Sequence, residues 1–111
     1  MIDIFNKIEK QLQENSIVIY MKGSPEHPSC GFSARAVRAL SYCTSDFFYV
    51  DVLQNDDIRI ALPKYSKWPT FPQLWVNKNL IGGCDIILEM FRSGELLNLV
   101  QNCKNNIKSS I

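Results

Sequence analysis

Residues 16–53, SIVIYMKGSPEHPSCGFSARAVRALSYCTSDFFYVDVL, decide how this chain folds. Ser16 to Lys22 is a β-branched, apolar run of buried-strand length, and Gly23-Ser24-Pro25 with Pro28 ends it. A helix is predicted from Gly31 to about Cys43. Asp46 to Leu53, through Phe47, Phe48, Tyr49, Val50 and Val52, reads as a second strand. One helix between two buried strands is a βαβ unit, with its strands parallel and adjacent and its crossover right-handed.

Upstream, Asp3 is placed to cap a helix whose apolar residues Ile4, Phe5, Ile8 and Leu12 fall at helical spacing, ending near Asn15. Downstream, Asn55-Asp56-Asp57 caps a helix containing Ile58, Ile60, Ala61 and Leu62, which Pro63 should end or kink before Tyr65. After the loop Trp68-Pro69-Thr70-Phe71-Pro72, Gln73 to Val76 and Leu80-Ile81 form a hairpin around Asn77-Lys78-Asn79, whose asparagines tolerate left-handed geometry. Gly82-Gly83 closes the hairpin. Asp85 caps a helix through Phe91 that Gly94 ends, and Glu95 to Cys103 forms a last helix with Leu96, Leu99, Val100 and Cys103 on one face. A polar tail from about residue 105 is expected to fray. The order α-β-α-β-α-β-β-α-α defines an α/β chain of one domain, residues 1–111, in the thioredoxin-like arrangement of a four-stranded mixed sheet flanked by helices.

Composition narrows the function. With 111 residues and 46% hydrophobic content, one domain should bury roughly two thirds of the surface its unfolded form exposes. The net charge of +1 and the interspersed signs give no footprint for nucleic acid. The longest strongly apolar run, Ile17 to Met21, is far short of a bilayer span, and the N-terminus lacks a signal core, so a cytoplasmic protein with no membrane role is expected. Cysteines at 30, 43, 84 and 103 show neither a disulfide framework nor the paired knuckles of a structural zinc site.

Cys30 is the chemical centre. A thiol at a helix start meets unpaired N–H groups and the positive end of the dipole, and Lys22 adds charge, so the thiolate is favoured. It is therefore a nucleophile or a soft metal ligand. Ser33 stands where a dithiol protein has its second cysteine, so a mixed disulfide on Cys30 cannot be resolved by its helical neighbour.

Lys22, Cys30-Gly31-Phe32-Ser33, Trp68-Pro69-Thr70-Phe71-Pro72-Gln73 and Gly82-Gly83-Cys84-Asp85 together resemble the monothiol glutaredoxins of the CGFS type, in their short, single-domain bacterial form. The match runs from the first helix to about Leu97, and one departure is Lys78, at a hairpin position often held by glycine. The resemblance implies glutathione binding and a 2Fe-2S cluster bridging a homodimer, with an apo monomer and a role in iron-sulfur delivery and iron homeostasis. Cys30 would be both the reactive residue and the metal ligand. Lys22 and Arg59 would hold the glycyl carboxylate, and the Gly83-Cys84-Asp85 turn would take the γ-glutamyl end, its N–H groups on the carboxylate and Asp85 on the ammonium. Thr70, Phe71 and Pro72 would lie along the cysteinyl unit, with Pro72 cis and the Phe71 backbone pairing like an added strand. Two Cys30 thiolates and two glutathione thiols would complete the cluster. Acceptor proteins and BolA-type proteins, the latter in cluster-bridged heterodimers, are the implied partners. The alternative is a glutathione-dependent oxidoreductase that deglutathionylates proteins through Cys30, with glutathione or Cys84 as resolving thiol. Ser33 and the lengthened Ser24-to-Ser29 approach favour the carrier.

Plainer roles account for the remaining reactive types. Cys43 falls in line with Ala36 and Leu40, and Cys103 with Leu96 and Val100, so both read as core. Cys84 reads as a binding-loop residue, His27 as part of a solvated loop, and Arg35 and Arg38 as a polar helix face. Trp68, Trp75 and Phe91 lack the basic interleaving of a base-stacking platform and read as core or partner surface.

Overall fold

A computed structural model describes residues 2–109, with side-chain surroundings over residues 3–103. In chain order the elements are α1 (Ile2–Glu14), β1 (Ile17–Met21), α2 (Gly31–Cys43), β2 (Phe48–Asp51), α3 (Asp56–Ser66), β3 (Gln73–Val76), β4 (Asn79–Gly82), α4 (Cys84–Ser93) and α5 (Glu95–Ser109). The sheet order is β2-β1-β3-β4. β1 pairs in parallel with β2, Val18 opposite Phe48 through Met21 opposite Asp51, and antiparallel with β3, Ile17 opposite Val76 through Tyr20 opposite Gln73. The adjacent parallel pair is the one expected from residues 16–53.

A central strand must bury both faces, and all five residues of β1 are buried. Strand alternation sends Ile17, Ile19 and Met21 into one core with Ala36, Val37 and Leu40 of α2, Ile87 of α4, and Leu96, Val100 and Cys103 of α5. Val18 and Tyr20 enter the other, with Ile8 and Leu12 of α1 and Ile58, Ala61 and Leu62 of α3. Trp75 joins this second core, while Phe91 stays exposed and stacks on exposed Tyr42 at 5.9 Å.

Several boundaries differ from expectation. α1 already includes Ile2, so Asp3 lies in its first turn rather than capping it. Pro63 sits inside α3, which continues to Ser66. Proline's fixed φ is itself helical, and the last turn is held by Tyr65, whose ring meets Phe5 edge-on at 5.2 Å and lies 6.1 Å from Trp75. The hairpin turn is the pair Asn77-Lys78, φ 50° and 67°, so Lys78 adopts the left-handed geometry that glycine would take more easily. The cap of α4 is Gly83, not Asp85, and α5 runs past Cys103 to Ser109.

Candidate functional site

Cys30 is the N-cap of α2, extended at φ −153°, and its Sγ accepts a hydrogen bond from the Ser33 N–H at 3.4 Å. The thiol is half-buried. Burial acts to raise its pKa but is outweighed by the N–H groups of Ser33 and Phe32, the Ser33 hydroxyl and the Lys22 charge, so it lies below the ordinary thiol value. Ser33 is fully buried, and its Oγ accepts the Lys22 N–H at 3.1 Å. The residue standing in for a second cysteine thus ties the start of α2 to the end of β1.

The approach loop is closed on itself. Ser24 N–H donates to His27 O at 3.2 Å, His27 N–H returns a bond to Ser24 O at 3.1 Å, and Ser29 N–H donates to Lys22 O at 2.9 Å. Gly23, at φ +92°, permits this crossing, since a Cβ there would lie 2.5 Å from His27 O. His27 is exposed, as expected of a solvated loop.

Beside Cys30 a groove of about 660 Å³ is lined by Lys22, Phe32, Trp68, Pro69, Thr70, Phe71, Pro72, Gly83, Cys84, Asp85 and Ile86. Three segments distant in sequence therefore converge. The Phe71–Pro72 peptide is cis, as the resemblance implies. Within this lining Lys22 supplies positive charge. Gly83, also in the lining, caps α4 without a side-chain bond, leaving first-turn N–H groups for an acceptor, with Asp85 exposed beside them. The groove thus offers two kinds of anion-binding group, a lysine ammonium and free helix N–H groups.

Not every expected residue lines it. Cys30 flanks the groove next to Phe32. Arg59 lies outside the lining, exposed in the first turn of α3, with its guanidinium 3.3 Å from Asp56 Oδ1. Cys84 and Cys103 are buried, whereas Cys43, read as core, is only half-buried and packs against the edge of a core; burial raises its pKa. Arg35 lies over the Phe32 ring at 5.2 Å.

Gln73 is a structural clamp whose role is not visible in its motif. Its fully buried amide donates from Nε2 to Trp68 O at 2.9 Å and Thr70 O at 3.2 Å, and its Oε1 accepts the Trp75 Nε1–H at 3.2 Å. One side chain thereby shapes the loop that forms much of the groove wall. A buried polar residue in an otherwise apolar strand was the available signal. Trp68 Nε1 is buried with no hydrogen-bond partner among the described residues.

The parallel β1-α2-β2 half, the antiparallel β3-β4-α4 half, a thiol at the N-cap of α2 and a cis proline before β3 define a thioredoxin-like fold. The family model for glutaredoxin matches residues 17–81. Among curated relatives, glutaredoxin 4 of Buchnera aphidicola subsp. Baizongia pistaciae is 63% identical over 101 residues, covering 91% of this chain and 94% of its own. Glutaredoxin 4 of Escherichia coli K12 is 59% identical over 103 residues, covering 93% and 90%. The solution structure of reduced poplar apo GrxS14 superposes with a TM-score of 0.76 at 38% identity, over 89% of this chain and 91% of that one. This chain belongs to the glutaredoxin family.

Proposed function

We propose that this glutaredoxin is a cytoplasmic iron-sulfur carrier that binds glutathione in the groove and holds one 2Fe-2S cluster between two copies of the chain. The observation that carries the reading is a thiol of lowered pKa, Cys30, two residues from the wall of a groove lined by a cation, Lys22, and by a helix N-terminus that no side chain caps, with the Asp85 carboxylate. Glutathione has matching groups: a glycyl carboxylate for Lys22 and Arg59, and an α-carboxylate and ammonium for the Gly83-Cys84-Asp85 turn. Thr70, Phe71 and Pro72 would lie along its cysteinyl unit.

The donor set suits a shared cluster. Among the described residues no group of three or more Cys, His, Asp or Glu could hold a metal within one chain. A 2Fe-2S cluster takes four thiolates, so Cys30 from two copies supplies half and two glutathione thiols the remainder. The cluster is cargo, passed to the cysteines of acceptor proteins in support of iron homeostasis, and one copy can be replaced by a BolA-type protein. In the absence of cluster the chain is a monomer.

Cys84 supports a second reading as a glutathione-dependent oxidoreductase, because it lines the groove beside the activated Cys30. There the Cys30 thiolate attacks the glutathionyl sulfur of a protein–glutathione disulfide and the protein thiolate leaves; a second glutathione thiolate then attacks the same sulfur, forming glutathione disulfide and freeing Cys30, or Cys84 attacks Cys30 Sγ, releasing glutathione and leaving a Cys30–Cys84 disulfide that two further glutathiones reduce.

Anaerobic reconstitution with iron, sulfide and glutathione, followed by visible absorption, sizing and acid release of bound tripeptide, tests the carrier. A coloured dimer containing about one glutathione per chain is expected, with none formed by Cys30→Ser or without glutathione. A stable cluster-bound dimer lacking glutathione would overturn the ligand set and make Cys84 the missing thiolate.

A further inference from the structure

The end of β2 joins the two segments that carry the cations. Lys22 is followed by Gly23, whose N–H donates to Asp51 Oδ1 at 2.9 Å, and the same oxygen accepts the Leu53 N–H at 2.9 Å. The Asp51 carbonyl accepts Asn55 Nδ2–H at 2.9 Å, and the Asn55 carbonyl in turn accepts the Arg59 N–H at 3.0 Å. An unbroken path therefore runs from the residue after Lys22, through Asp51 and Asn55, to the backbone of Arg59.

The chemistry of Asp51 is unusual for a structural link. It is half-buried, accepts two backbone N–H groups with one oxygen, and forms no ion pair among the described residues. A partly buried carboxylate without a cation pays desolvation, and charge-assisted bonds to N–H groups offset it by being shorter and roughly twice as strong as neutral ones. Such bonds hold geometry tightly. Arg59 has need of that, because it touches no wall of the groove and its guanidinium is engaged by Asp56 on its own helix. Its position relative to Lys22 is set through the backbone.

We propose that Asp51 is a positioning residue of the glutathione site, locking the Lys22-bearing turn to the Arg59-bearing helix so that both cations act on one carboxylate. The inference rests on the glutathione reading above. Ordering the two arms in advance removes part of the entropy that binding would otherwise cost. Asp51 never touches the ligand; it acts through Lys22 and Arg59 alone.

The test is the affinity of the full chain for reduced glutathione, followed by NMR titration, with unfolding midpoints measured in parallel. Asp51→Ala should weaken binding roughly tenfold, whereas Asp51→Asn, which keeps an acceptor oxygen but loses the charge, should weaken it about threefold. In a Lys22→Ala, Arg59→Ala background the further loss caused by Asp51→Ala should vanish, while its effect on the unfolding midpoint persists. If Asp51→Ala does not fold, Asn55→Ala, which removes the tie to α3, should weaken binding only while Arg59 is present. Wild-type affinity in Asp51→Ala, or an undiminished loss in the double-variant background, would overturn the proposal. Wild-type affinity in the Lys22→Ala, Arg59→Ala protein would instead overturn the glutathione reading itself.

Discussion

Cys30 and Cys103 are the same residue type under opposite constraints. Cys30 spends its sulfur as a helix cap, a task serine performs well, so Cys30→Ser should change unfolding free energy by no more than about 0.5 kcal/mol while abolishing thiol chemistry. Cys103 is 2% exposed in a core, and Cys103→Ala should cost about 1–2 kcal/mol in urea unfolding with thiol chemistry intact. Equal stability losses in the two variants would contradict these assignments. The pKa of Cys30 also has a readable sign. Because the folded value is depressed, the thiolate stabilises the native state above the unfolded-state value, and that contribution is lost as pH falls through the folded value. The rate of iodoacetamide alkylation against pH should therefore have its midpoint below that of the urea-unfolded chain, and coincident curves would show that the fold does not activate the thiol. The activation was legible from the helix start and Lys22. The buried role of Ser33 was not, because its partner, the Lys22 N–H, lies eleven residues back on another element.

The elements that carry the site are held by close approaches that sequence patterns do not encode. Gly23 needs its glycine twice over, for φ +92° and for the backbone of His27 and Ser29 packed where a Cβ would stand. Gly23→Ala should cost on the order of 1–3 kcal/mol in urea unfolding and loosen the loop before Cys30. Gly83 is different: its φ of −98° suits any residue, but a Cβ would come 3.3 Å from Trp68 Nε1 and 3.4 Å from Pro72 O. Gly83→Ala should cost less than about 1 kcal/mol yet shift the Trp68 indole N–H resonance and weaken glutathione binding. An unmoved resonance would mean that the contact does not shape the groove. Element types were legible from periodicity and turn residues, whereas ends were set by neighbours. Pro63 stays helical because Tyr65 packs on Phe5 and Trp75, and α4 starts at Cys84 because Gly83 ends the hairpin in extended geometry.

At the scale of the molecule, one sheet serves two cores. Leu40 and Leu62 are fully buried on opposite faces, so Leu40→Ala and Leu62→Ala should each cost about 2–5 kcal/mol. Because every residue of β1 is buried between the two layers, unfolding should remain a single cooperative transition in urea; separate transitions by fluorescence and circular dichroism would refute the shared frame. By itself, the sequence determined the element order, the parallel pairing of β1 with β2, and the reactive thiol, since these depend on periodicity, strand length and the charge beside one helix start. Only the tertiary structure decided that Gln73 clamps the wall of the groove, that Arg59 stands outside it, and that Asp51 links the two cation-bearing segments. Those relations join residues far apart along the chain, and local propensity carries no record of which distant backbone groups a folded side chain will meet.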